Sequence, residues 1–223
     1  MVACAIDDNV QNHQLMLLHG AQGKGKSTFI RHLLPPELKD YYRNGMIIPE
    51  NNNHLLQLSS CLLINLDEFD TLSPERMQNL KSLITQDVVN ERKVYDIQNY
   101  TYIRRASFIA STNNPHCMPD VKENRRILFS TLLNIDYHTP VNHEGIYAQA
   151  YALYRQGFQY WYENEEITFL NNRNEAFRQK DPIEENLFFY FRAARQNDIQ
   201  AQWYPASYLL SVLSMNGRTQ ANT

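Results

Sequence analysis

Apolar residues in this chain fall into short unbroken blocks in the first half and into long, helically spaced stretches in the second. Leu15 to Leu18 is the first block, the pattern of a strand buried on both faces of a parallel sheet. It runs straight into a glycine-rich loop. Ser27 to Leu34 then carries helix-compatible spacing until Pro35-Pro36 stops it. Cys61 to Leu66 repeats the block pattern, with Asn65 as its one polar member, and ends in Asp67-Glu68. Ser73 as a cap and Pro74 at the first helical position predict a helix whose apolar face is Met77, Leu80, Leu83 and Ile84. Asp87 to Arg105 mixes β-branched, aromatic and basic residues without helical period, which predicts a hairpin with strands around Val94 and Tyr102. Ala106 to Ala110 and Ile127 to Ile135 predict two more core strands, and Glu37 to Asn53 reads as a polar connector with at most short elements.

Beyond Tyr137 the pattern changes to amphipathic stretches at Ile146 to Tyr162, Ile167 to Gln179 and Ile183 to Ala194. Strands alternating with helices in the first half predict an α/β parallel sheet flanked by helices. The expected division is therefore a core at residues 1–138 and a mainly helical segment at 139–223. The linker falls near Thr139-Pro140.

Gly20-Ala21-Gln22-Gly23-Lys24-Gly25-Lys26-Ser27 fits the pattern of a phosphate-binding loop at every fixed position. Such a loop needs glycines so that several backbone N–H groups can converge, a lysine to neutralise the terminal phosphates and a hydroxyl for Mg²⁺. A chance match in a chain of this length is expected roughly one time in a hundred. The nucleotide contacts are expected from Gly20, Gln22, Gly23, Lys24, Gly25, Lys26, Ser27 and Thr28, and the cofactors from ATP with Mg²⁺. Lys24 occupies a free position of the pattern and also reads as a solvated surface lysine. Mg²⁺ keeps an octahedral shell of water, hydroxyl, phosphate and carboxylate oxygens, so a strand-end Asp is required, and Asp67 stands there beside Ser27. Glu68 could orient the attacking water, whereas Asp70 reads as a turn or cap residue.

Asn113 follows a core strand at the edge where parallel sheets collect ligands, although Asn-Asn-Pro is also a strong turn former. Arg125-Arg126 precedes the last strand and reads either as an arginine finger or as a charged strand start paired with Glu123 or Asp120. Arg92-Lys93 and Arg104-Arg105 bracket the hairpin with Tyr95, Tyr100 and Tyr102 between them. Basic residues interleaved with aromatics can grip a single nucleic-acid strand.

Composition narrows this picture. A net charge of -3 over 223 residues gives no general positive field, so any DNA contact must be local. Three scattered cysteines indicate neither a disulfide framework nor a zinc site, and the seven histidines form no H-E-x-x-H. No leader opens the chain and no apolar run approaches a membrane span, so a cytoplasmic location is expected.

Over Leu15 to Leu132 the chain resembles the virulence-associated protein E family, phage and mobile-element ATPases related to superfamily 3 helicases and AAA+ proteins. The resemblance rests on Gly20 to Ser27, Leu62 to Glu68, Arg104-Arg105-Ala106-Ser107-Phe108-Ile109 leading to Thr112-Asn113, and Asn124-Arg125-Arg126. It implies Lys26 and Ser27 for phosphate and Mg²⁺, Asp67 for Mg²⁺, Glu68 for water, Asn113 as sensor and Arg126 ahead of Arg125 as finger. It also implies a homo-oligomeric ring with ATP between neighbours and basic hairpins facing single-stranded or forked DNA, and, since related mobile-element proteins carry a winged-helix tail, it makes Pro205 to Met215 the expected start of one. The implied activity is ATP hydrolysis driving a DNA helicase. A regulatory or defence-related ATPase switch and a small-molecule kinase are the alternatives. ATP is preferred over GTP because no N-K-x-D motif occurs.

Overall fold

A computed structural model describes residues 1–47, 52–67, 69–91, 98, 100–118, 124–179, 182–195 and 198–215. It divides into two compact units, Met1–Arg178 and Gln179–Thr223. The first unit is built on a five-stranded sheet of β1 (Leu15–His19), β2 (Tyr42–Asn44), β3 (Leu63–Leu66), β6 (Ser107–Thr112) and β7 (Ile127–Thr131). Its order is β2-β3-β6-β1-β7, and every pairing is parallel. All four residues of β3 and all six of β6 are buried, the polar Asn65, Ser107, Ser111 and Thr112 among them, as expected in a sheet covered on both faces.

One face packs Leu15, Leu17, Ile64, Leu66, Phe108 and Phe129 against α3 (Asn52–Ser60) and α4 (Pro74–Thr85). The other packs Leu18, Leu63 and Ile109 against Ile30 of α2 (Lys26–Arg31) and the following Leu34. Each fully buried Leu, Ile or Phe contributes about 1.5–3 kcal/mol, so the two faces together hold the sheet between helical layers. Ser73 caps α4 by accepting from the Arg76 N–H, which leaves the apolar stripe of Met77, Leu80, Leu83 and Ile84 facing the core.

The hairpin forms, and its first described strand lies just ahead of the position of Val94. β4 (Val88–Glu91) pairs antiparallel with β5 (Tyr100–Ile103), Val88 opposite Ile103 and Glu91 opposite Tyr100. Val94 and Tyr95 lie outside the described residues, as do Arg92 and Lys93. Two short helices were not expected: α1 (Val2–Ile6) and α3.

The division at residue 138 also moves. Helices α5 (His143–Arg155) and α6 (Asn164–Glu175) belong to the first unit, because both pack back onto it. Tyr147 of α5 donates its hydroxyl to the Leu33 carbonyl at 3.0 Å, and Tyr154 donates to the Asp7 carboxylate. Asn174 of α6 is buried and donates to the Ile127 carbonyl at 2.8 Å, and Phe177 stacks on Phe129 with ring centroids 3.5 Å apart. Helix α5 ends well before Tyr162 because Gly157 takes the left-handed conformation that closes a helix. The second unit carries α7 (Pro182–Tyr190) and α8 (Ala206–Met215). Among the described residues no helix is long and apolar enough to cross a membrane. Cys4, Cys61 and Cys117 are buried and unbridged.

Arg104 and Arg105, expected as nucleic-acid contacts bracketing the hairpin, are instead bonded within the first unit. The N-terminal segment folds over the hairpin's base. Arg104 is 1% exposed and donates to the Asn12 carbonyl at 2.5 Å and the Ala106 carbonyl at 3.2 Å, with Phe108 below it at 5.9 Å. Burial lowers its pKa to about 10, which leaves it a cation at neutral pH. Arg105 donates to the Cys4 carbonyl at 3.0 Å and pairs with Asp8. Arg104→Ala is expected to destabilise the chain by about 2–4 kcal/mol, since two carbonyls lose a charged donor and a buried volume empties. Urea unfolding checks this. An unchanged midpoint would mean that the guanidinium does not hold the N-terminal segment in place.

Candidate functional site

Parallel strands deliver all their carboxyl ends to one edge of the sheet, and the loops that follow them converge there. The glycine-rich loop leaves β1, Asp67 follows β3, and Asn113 follows β6, which lies between those two strands. Together they line a cavity of about 660 Å³. The loop closes tightly because Gly23 and Gly25 take φ of 76° and 79°, a left-handed conformation that side chains resist. Gly25 has a second constraint: a Cβ there would lie 2.1 Å from a ring carbon of Tyr137, so no side chain fits.

Lys26 is 8% exposed, and its ammonium donates to the Gly20 carbonyl at 2.6 Å, the Ala21 carbonyl at 2.9 Å and Asn113 Oδ1 at 2.7 Å. Its three protons are thus matched by three acceptors. Burial lowers its pKa from the ordinary lysine value, and the Asp70 carboxylate acts in the opposite sense. The charge is therefore held at the mouth of the loop by groups that a more strongly charged acceptor could replace.

Ser27 donates its hydroxyl to Asp67 Oδ1 at 3.4 Å, and Ser111 reaches the same oxygen at 3.5 Å. The Asp67 carboxylate is aimed by two amides. Asn44 donates to Oδ2 at 2.7 Å and Asn65 to Oδ1 at 2.8 Å, while Asn65 also donates to Asn44 Oδ1 at 2.9 Å. Hydroxyl and carboxylate side by side make the partial donor set that Mg²⁺ takes when water and phosphate oxygens complete its shell. Among the described residues no group of three His, Cys, Asp or Glu could hold a metal by itself.

The structure thus brings Gln22, Gly23, Lys24, Gly25, Lys26, Ser27, Thr28, Asp67 and Asn113 to one cavity. Glu68 lies outside the described residues. Asp70, read as a turn or cap residue, lines the cavity as well and accepts from Thr112 Oγ1 at 3.1 Å. Arg125 and Arg126 lie elsewhere. They immediately precede β7, whose first residue is level with Leu15, so they sit at the amino edge of the sheet beside Tyr160 and Trp161. Five strand residues separate that edge from the glycine loop, roughly 16 Å along the sheet.

Sequence reading missed Asn44, Tyr137 and the role of Asn65. Asn65 did leave a signal, because a polar residue inside a buried strand must find a partner. Asn44 and Tyr137 carry no such mark, since their positions depend on strands far away in the chain.

The chain has similarity to apo structures of the C-terminal region of NrS-1. Three such structures match at 16%, 19% and 17% identity with TM-scores of 0.41, 0.40 and 0.42. The matches cover 75%, 76% and 75% of this chain, and this chain spans about a third of those structures, 34%, 36% and 36%. A search of curated proteins gave no match. A family model described as the virulence-associated protein E-like domain matches residues 1–179, nearly the same stretch as the first compact unit. The chain belongs to the virulence-associated protein E-like family.

Proposed function

We propose that this chain is a P-loop ATPase of the AAA+ and superfamily 3 helicase type. In this reading it hydrolyses ATP with Mg²⁺ as the motor of a DNA helicase in phage, plasmid or mobile-element replication. The observation that carries the reading is the convergence of Lys26, Ser27, Asp67 and Asn113 on one cavity at the carboxyl edge of the sheet. Lys26 exchanges its carbonyl and amide acceptors for β- and γ-phosphate oxygens, a trade favoured by their charge. Ser27 and Asp67 hold Mg²⁺, which neutralises phosphate charge, and Asn44 with Asn65 keep the carboxylate aimed. Asn113, once released by Lys26, aligns the attacking water or the γ-phosphate, and Glu68 orients that water.

An arginine at the amino edge cannot serve the glycine loop of its own chain. Arg126, with Arg125 beside it, acts on the nucleotide of a neighbouring copy, and head-to-tail contacts of this kind close into a ring. DNA contact falls to Arg92 and Lys93, because Arg104 and Arg105 are committed to the N-terminal segment. That commitment favours a second reading, an ATPase switch that does not unwind DNA.

Phosphate release measured with and without single-stranded DNA separates the two. The motor reading expects stimulation by DNA. It also expects that replacing Arg92 and Lys93 with alanine weakens DNA affinity and flattens its salt dependence by about one unit per lost phosphate contact. Turnover by a monomer that ignores DNA would leave the switch.

A further inference from the structure

The cavity at the carboxyl edge is chemically lopsided. Strand order places β6 and β3 on one side of β1 and β7 on the other. The groups suited to phosphate and metal, Asn113 and Asp67, arrive from the β6 and β3 side. From the β7 side the chain delivers an aromatic ring, Tyr137, into the same cavity. A compact turn presents it. Asp136 Oδ1 accepts from the backbone N–H groups of His138 and Thr139 at 3.0 Å each, and its Oδ2 accepts from the Thr139 hydroxyl at 2.6 Å. The His138 ring lies 4.2 Å from the Tyr137 ring, and Tyr137 rests on the backbone of Gly25 so closely that only glycine fits there.

We infer that Tyr137 is the residue that receives the nucleotide base, by stacking its ring on the base while the glycine loop holds the phosphates. The inference rests on the nucleotide reading above. A triphosphate whose terminal phosphate points toward Lys26, Asn113 and Asp67 must send its ribose and base the other way, across β1 toward β7. Tyr137 lines the cavity there and brings an aromatic ring, which the loop's glycines and lysines lack. Stacking is indifferent to which base is bound, because every base has a π face. Tyr137 therefore adds affinity for nucleotides over bare polyphosphate without choosing adenine over guanine.

The test titrates the full chain, in Mg²⁺, with ATP, GTP and inorganic tripolyphosphate by calorimetry. Wild type is expected to bind both ATP and GTP more tightly than tripolyphosphate. Tyr137→Leu keeps apolar bulk against Gly25 but removes the π face. It is expected to weaken ATP and GTP binding about tenfold or more and to leave tripolyphosphate binding unchanged. Tyr137→Phe keeps wild-type affinity for all three. Equal losses for ATP and tripolyphosphate in Tyr137→Leu would make the ring a prop for the loop and overturn the inference. A gain in ATP affinity would make it a plug, and unchanged ATP binding would make it a bystander; either result also overturns it. A wild-type chain that binds neither ATP nor tripolyphosphate brings down the nucleotide reading itself, a result distinct from all of these.

Discussion

Lys26→Ala is expected to lower ATP turnover by about a hundredfold or more, the scale on which a single charge-stabilising donor acts in a reaction centre. The fold should survive. The lysine reaches its partners through the side chain alone, and one of them, Asn113, lines the cavity. Loss of the ammonium takes the lysine donor from the buried Gly20 carbonyl, at a stability cost of about 1–3 kcal/mol. Phosphate release at saturating Mg²⁺ and ATP, read beside the thermal midpoint, separates the two effects. A variant that stays folded and turns over like wild type would show that the loop does not carry the chemistry. The three acceptors make this substitution informative for a further reason. They hold the ammonium where a phosphate would meet it, so its absence removes a positioned charge.

Arg126→Ala is expected to reduce turnover by about a thousandfold while ATP binding persists, the signature of an arginine finger. Arg125→Ala should cost far less. The expectation comes from position. Both arginines precede β7 at the amino edge, and the glycine loop leaves β1 at the carboxyl edge of the same parallel pair. Within one chain the sheet keeps them apart, so an arginine finger at this position would have to complete a neighbour's site. Mixing supplies the decisive measurement. Lys26→Ala chains keep an intact arginine and Arg126→Ala chains keep an intact loop. Random mixed rings then rebuild about a quarter of the sites, because each head-to-tail interface draws one half from each neighbour. Two inactive variants that regain turnover together establish action between subunits. A mixture as dead as its parts would show that Arg126 serves its own chain's structure.

These expectations lean on parts of the fold that are local in origin. The Leu15 to Leu18 block, the glycines after it and the spacing from Ser27 onward are strand, loop and helix in adjacent residues, and each follows from rules acting over a few positions. The Ser73-Pro74 start of α4 and the blocks at β3 and β6 are of the same kind. The hairpin was legible as a hairpin, but its register, with Val88 opposite Ile103 and Glu91 opposite Tyr100, is decided by cross-strand pairing.

The basic residues at the hairpin's base show where local reading stops. Arg104 and Arg105 look like a solvated pair from their neighbours in sequence, yet their partners are Asn12, Cys4 and Asp8, some ninety to a hundred residues earlier. Position 138 likewise looked like a boundary, because the composition changes there. The Tyr147 hydroxyl on the Leu33 carbonyl and the Asn174 amide on Ile127 tie the following helices back to the sheet.

What this sequence determined by itself was the set of parts: the glycine loop with Lys26 and Ser27, a strand ending in Asp67, a strand leading to Asn113, and an arginine pair before the last strand. Which parts meet was decided by the order of strands. Because β6 lies between β1 and β3, Asn113 reaches Lys26 and Asp67 reaches Ser27. Because β7 flanks β1 on its other side, Tyr137 comes to rest on Gly25, and Arg126 is carried to the far edge. Strand order is set by the burial of whole apolar faces across long sequence separations, and no short stretch of residues encodes it.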